Sequence, residues 1–146
     1  MAVAHRFCTF YLDELWFGLC VESVQEVQLA PAITPVPLGP HAIAGLVNLR
    51  GQIVTAIDLR KRLGLAERPP LAPPALLVSR HRDALLGLLV TRMDEVVEAL
   101  EGRVEITPLR ELVAAVYKFP GRLLRVLDLD KVVGEGKEAP SATAVK

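Results

Sequence analysis

The chain has 146 residues, about the length of one typical domain, with 51% hydrophobic and 23% charged residues, a globular composition able to bury a core without metals or disulfides. Its 17 basic and 17 acidic residues cancel to a formal net charge of +0, which argues against nucleic acid or an anionic membrane as partner, since both reward a large positive excess. A protein partner met through a small mixed apolar and polar patch fits this balance better.

The N-terminus alternates and carries charge early, unlike a signal peptide. No apolar run reaches the ~20 residues that span a bilayer, so no membrane insertion is expected. Phe7–Leu12 is rich in aromatic and branched residues and suits a strand. Asp13-Glu14 makes a polar turn, and Trp16–Leu19 returns as a second strand. Gly18 within it marks a bulge or a close backbone approach. Cys8 and Cys20, the two cysteines, lack metal or redox spacing and read as reduced thiols in apolar strands.

In Val21–Gln28 the valines at 21, 24 and 27 recur every three residues, the pattern of a short helix held by tertiary packing. Ala30–Pro40 carries four prolines and reads as an extended loop. Ala42–Leu49 fits a helical turn ended by Gly51. Ile53–Ile57 reads as a buried strand. Asp58 is a plausible N-cap for Leu59–Leu63, with Gly64 at C′. Ala66–Pro74 holds another four prolines and reads as a stiff connector. Ala75–Arg80 and Ala84–Val90 are strands about the turn His81-Arg82-Asp83. Met93–Leu100 is helix-like or extended, Pro108 interrupts, and Leu109–Ala115 is ambiguous. Arg122–Leu127 reads as a strand and Asp128–Val133 as a short capped helix ending at Gly134. The polar tail, residues 136–146 after the boundary at Glu135, is expected to be disordered.

The two halves repeat. Gly18, Leu19, Val21, Glu26 and Val27 match Gly87, Leu88, Val90, Glu95 and Val96 at an offset of 69. Gly51, Asp58, Leu59, Lys61 and Gly64 match Gly121, Asp128, Leu129, Lys131 and Gly134 at an offset of 70. Units of about 6–66 and 75–134, joined by the proline-rich linker, are each too small to bury a good core alone. Short strands punctuated by Gly and Pro favour small barrels sharing an apolar face. The units diverge at one tetrad, Asn48-Leu49-Arg50-Gly51 against Lys118-Phe119-Pro120-Gly121, which suggests a distinct surface on the first.

No catalytic constellation emerges. His81-Arg82-Asp83 spells the kinase catalytic-loop tripeptide, but the downstream Asn, a glycine-rich loop and DFG are all missing, so it reads as a hairpin turn. His5, His41 and His81 lie apart from each other and from the cysteines, without zinc spacing. The serines lack a nucleophile elbow, and no phosphate-binding glycine motif occurs. No enzyme activity, cofactor or metal is therefore expected. The valines of 21–28 are either plain core or the lining of a partner groove with Glu26 at its rim. Arg50 is either half of a surface ion pair or the charged anchor of an interface.

With these residues in place, the chain resembles the CheW family of bacterial chemotaxis coupling proteins. The likeness rests on VESVQEV at 21–27, IAGLVNLRGQIVTAIDLRKRLG at 43–64 and LRVLDLDKVV at 124–133, and covers about residues 6–134. It implies a single CheW-like domain over 1–135 that is mainly β. Two SH3-like five-stranded β-barrel subdomains would pack through a shared apolar core, with a few short helices and with strands crossing between subdomains. It implies a non-catalytic cytoplasmic adaptor, membrane-associated only through receptor arrays. Such an adaptor couples the cytoplasmic tip of a methyl-accepting chemoreceptor to the regulatory domain of a CheA-type histidine kinase. An alternative is an accessory member that binds only receptors, or another coupling protein, in a non-motility sensory system. By position, Val24, Glu26 and Val27 match the family's receptor-facing segment, and Asn48, Leu49 and Arg50 its NLRG motif, which implies a Glu26–Arg50 ion pair. Thr55 departs from the family, which usually has proline there; the restored N–H is expected to make strand pairing more regular.

Overall fold

The computed structural model describes residues 5–29, 31–36, 41–66, 72–99, 103–104 and 112–134. In chain order these hold β1 (His5–Leu12), β2 (Leu15–Cys20), β3 (Val24–Leu29), β4 (Ile43–Leu49), β5 (Gln52–Asp58), α1 (Leu59–Arg62), β6 (Ala75–His81) and β7 (Ala84–Val90). They continue with β8 (Arg92–Ala99), β9 (Arg103–Val104), β10 (Val113–Phe119), β11 (Arg122–Leu127) and α2 (Leu129–Val133). The remainder of the proline-rich linker (67–71), Pro108 and the adjoining 109–111, and the tail from 135 lie outside the described residues.

Turn chemistry sets the hairpins. Asp13 (φ +57°) turns β1 into β2, while Arg82 (φ +53°) and Asp83 (φ +67°) turn β6 into β7. Each helix starts at an aspartate placed as the repeat anticipates. Asp58 accepts from the Arg60 and Lys61 amides, and Asp128 from the Lys131 amide, satisfying amide donors that the first helical turn leaves open. The helices are then tied down by charge of opposite sense. Asp13 takes a two-pronged bond from Arg60 of α1, both distances 3.0 Å. At the matching place Asp130 of α2 receives His81 at 2.5 Å and Arg82 at 3.7 Å. Arg62 of α1 also donates to the Val132 and Lys131 carbonyls at 2.8 and 2.7 Å.

The strands form two sheets, ordered β8-β1-β2-β11-β10-β9 (barrel I) and β3-β6-β7-β5-β4 (barrel II). Each takes strands from both halves of the chain, so the sequence repeat and the sheets divide the molecule differently. Replacing every strand by its repeat mate turns the β8-β1-β2-β11-β10 order into β3-β6-β7-β5-β4. Irregularities of pairing recur at matching places. The register shifts between Cys8 and Phe10 against β8, and between Val24 and Glu26 against β6. The repeat halves meet in two parallel pairings, β2 with β11 and β5 with β7. Gly18 and Gly87 lie at these seams. A Cβ on Gly18 would stand 3.2 Å from Leu124 Cδ1, so this glycine serves a close approach rather than a bulge.

One core lies between the barrels. Phe10, Leu12, Phe17 and Leu19 of barrel I meet Ile57, Leu77, Leu88 and Val90 of barrel II, closed by Leu59 and Leu63 of α1 and Val132 of α2. Each barrel has its own interior as well: Phe7, Trp16, Tyr117 and Leu124 in barrel I, and Val47, Leu49, Val54 and Leu76 in barrel II. The fold is thus mainly β, two SH3-like barrel subdomains joined through a shared apolar core. Thr55 pairs without interruption with Leu46 and Leu86. Its hydroxyl is buried and, among the described residues, meets no hydrogen-bond partner.

Two segments differ from the sequence expectation. Val21–Gln28 is not a helix. A 3-10 turn at Val21–Ser23 leads into β3, whose neighbour is β6. The β-branched valines favour this extended form, and the three-residue spacing arises from a turn followed by a strand. Ala42–Leu49 is likewise strand β4 rather than a helical turn, because β5 supplies a complete antiparallel partner. Gly51 therefore does not end a helix; it is the second residue of the β4–β5 turn. The two open segments resolve as strands, β8 through Arg92–Ala99 and β10 from Val113 onward.

Candidate partner-binding site

In barrel II, β3 and β4 are the two opposite edges of the sheet. The sheet curls enough for one side-chain pair to bridge them. Arg50 and Gly51 form the two-residue β4–β5 turn with φ of +50° and +90°, the backbone of a type I′ hairpin. Asn48 Oδ1 accepts from the Gly51 amide at 2.8 Å and pins this turn. Leu49, 7% exposed, anchors it in the barrel interior. Arg50 is thereby aimed back across the barrel mouth at Glu26 of β3. Its Nη2 lies 2.5 Å from Oε1 and its Nη1 3.2 Å from Oε2, a two-pronged guanidinium–carboxylate strut.

The strut is set unevenly in solvent. The Arg50 side chain is 68% exposed and that of Glu26 22%. Gln28 Nε2 donates to Glu26 Oε2 at 2.6 Å, so both carboxylate oxygens are engaged. Arg50 first, and Gln28 second, hold the Glu26 carboxyl below its ordinary value, and Glu26 in turn raises that of Arg50.

Of the sequence-predicted residues, Glu26 and Arg50 come together directly. Asn48 and Leu49 serve the same turn from behind. Val24 starts β3 and packs against the shared core. Val27 is exposed (38%) and points away from the Glu26 face, with Leu29 (77%) beyond it. Ile53, beside the Arg50 turn, is also exposed. Sequence reasoning missed Gln28, and Arg80, which donates to Gln25 at 3.0 Å. Alternation along 24–29 would have placed Glu26 and Gln28 on one face, had the segment been read as a strand.

Barrel I closes its mouth differently. There Arg122 of β11 reaches Asp94 of β8 at 3.2 Å and Glu95, the repeat mate of Glu26, at 3.7 Å. Its guanidinium lies 3.4 Å over the Trp16 ring and donates to the Tyr11 hydroxyl at 2.5 Å. This arginine is absorbed by its own barrel. Arg50 presents most of its surface outward. Such a site can recognise and hold a protein surface. Among the described residues no cluster of three metal-ligating side chains occurs, and no helix is long and apolar enough to cross a membrane.

The chain is similar in sequence and fold to known proteins. The chain is 30% identical over 131 residues to a protein named chemotaxis protein CheW from Thermotoga maritima, covering 87% of this chain and 86% of that one. It is 26% identical over 137 residues to the protein of the same name from Rhizobium meliloti, covering 89% and 88%. Among solved structures, the scaffolding protein TtCheW from Thermoanaerobacter tengcongensis superposes with a TM-score of 0.85 at 26% identity, over 96% of this chain and 99% of that one. Residues 6–137 match the CheW-like domain, and with its two barrels and shared core the chain belongs to the CheW-like domain family.

Proposed function

We propose that this chain couples the cytoplasmic tip of a methyl-accepting chemoreceptor to the regulatory domain of a CheA-type histidine kinase, with the Glu26–Arg50 mouth of barrel II facing the receptor. As a CheW-like domain it is a non-catalytic, chemotaxis-type adaptor, related to proteins named for chemotaxis and for scaffolding. It works in the cytoplasm and reaches the membrane only through receptors. The receptor-facing reading is carried by one observation. An arginine is held in a left-handed turn, braced by a carboxylate across the barrel, and left largely open to solvent. Arginine is among the residues enriched at interface hot spots. Glu26 and Arg50 form that surface, Asn48 and Leu49 set its turn, and Val24 and Val27 are assigned to the receptor-facing segment by their position in the family pattern.

The test is reversal of charge, Arg50→Glu, which sets two carboxylates facing each other across the mouth. The variant is expected to lose co-sedimentation with receptor-containing membranes and receptor control of kinase autophosphorylation. Unchanged co-sedimentation and control would remove Arg50 from the interface. Pull-downs with the kinase regulatory domain and a receptor signalling fragment, separately and together, test the coupling. Capture of only one of the two would identify an accessory protein instead of a coupler.

A further inference from the structure

The two barrel mouths solve one problem in two ways. Both close with an arginine reaching a carboxylate on an edge strand. In barrel I the arginine itself is steadied, by the Trp16 ring and the Tyr11 hydroxyl. At the matching positions barrel II has Leu85 and Arg80 (offset 69), which offer neither an aromatic floor nor a hydroxyl. The steadying contact there lies on the carboxylate instead. Gln28 Nε2 holds Glu26 Oε2, and the repeat mate of Gln28 in barrel I is Val97, which has no such donor.

We propose that Gln28 is a positioning residue for partner recognition: it fixes the Glu26 carboxylate, and through it the plane and outward direction of the Arg50 guanidinium. A glutamate on an edge strand is otherwise free to change rotamer and would carry Arg50 with it. Freezing it beforehand removes an ordering cost from binding, which raises affinity without a new contact to the partner. Gln28 acts only through the strut. The inference rests on the receptor-facing reading of this mouth.

The experiment compares the full-length chain with Gln28→Leu, Arg50→Ala and the double variant. Affinity is measured for a chemoreceptor hairpin-tip fragment, and the Glu26 side-chain carboxyl is followed by carbon-13 NMR. Gln28→Leu is expected to bind about three- to tenfold more weakly, and to add no further loss once Arg50 is gone, the non-additivity of a coupled pair. The Glu26 titration should move up toward its ordinary range. Wild-type affinity in Gln28→Leu, the same loss repeated in the Arg50→Ala background, or an unmoved Glu26 titration would each overturn the proposal. If the wild-type chain fails to bind the fragment, the receptor-facing reading falls. The Glu26 titration then decides alone whether Gln28 governs the strut.

Discussion

Replacing Arg50 by asparagine should make the protein more stable and less functional at once. Arg50 holds φ +50°, a region that costs an ordinary L-residue roughly 1–2 kcal/mol. Asparagine tolerates it, and Asn-Gly is the preferred pair for a type I′ turn. The substitution also deletes the bridge to Glu26, but that bridge is open to solvent and screened, so it offsets little of the backbone gain. For a chain of this length the recovered backbone energy corresponds to a rise in melting temperature of about 2–8 °C. Thermal unfolding by circular dichroism measures that term, and receptor-fragment binding measures the other, expected to weaken by about tenfold or more, as for an interface hot spot. A lower melting temperature in Arg50→Asn would mean that the ion pair outweighs the turn strain. A higher one with undiminished binding would mean that the strained arginine is not part of the interface.

Other perturbations separate frame from surface. Arg122→Ala should cost roughly 1–2 kcal/mol in chemical denaturation, because it strips a cation–π face and hydrogen bonds from barrel I; unchanged stability would show that the Trp16 stack is idle. Gly87→Ala should destabilise by roughly 1–3 kcal/mol through overpacking, since its Cβ would lie 2.6 Å from Leu76 Cδ1 and Leu76 is fully buried. Gly18→Ala should cost less, and the reverse order in melting temperature would contradict the seam geometry. Asp58→Ala removes the α1 cap and should cost about 1 kcal/mol, read as a shifted denaturation midpoint. Because the Glu26 carboxyl is held below its ordinary 4.5, the strut's contribution is fully present above that pH and is lost as pH falls through the lowered value. A carbon-13 titration midpoint at or above 4.5 would refute the bridge in solution.

Hairpins, caps and repeat were legible in the sequence because each is a local rule. Aspartate before a short apolar run makes an N-cap wherever it occurs, and Asp58 and Asp128 do so here. Glycines that recur with their caps betray duplication more reliably than recurring valines. Val21–Gln28 and Ala42–Leu49 were misread because the deciding partner is distant in sequence. β3 pairs with β6 across the proline-rich linker, and a run such as Ile43–Leu49 fits either period until its neighbour is known. Glu26 and Arg50 were singled out from the residues with alternatives left open, and they were paired only through family likeness. Their contact depends on the curl of a sheet in which they stand on opposite edges, which no local pattern encodes. Gln28 escaped because its role depends on strand alternation in a segment read as a helix.

The interleaved sheets bear on how this molecule can be cut. A break in the proline-rich linker yields one piece holding β1 to β5 and another holding β6 to β11, and every hydrogen-bonded seam that completes a barrel runs between the pieces: β1 with β8, β2 with β11, β3 with β6 and β5 with β7. Neither piece holds a finished barrel, yet together they hold two. Fragments made separately and mixed should therefore reconstitute each other, a ready-made split protein. For the intact chain the same wiring forbids a hinge. One half of the chain cannot swing against the other without tearing strands from a sheet, and the two barrels are held together by the apolar core between them.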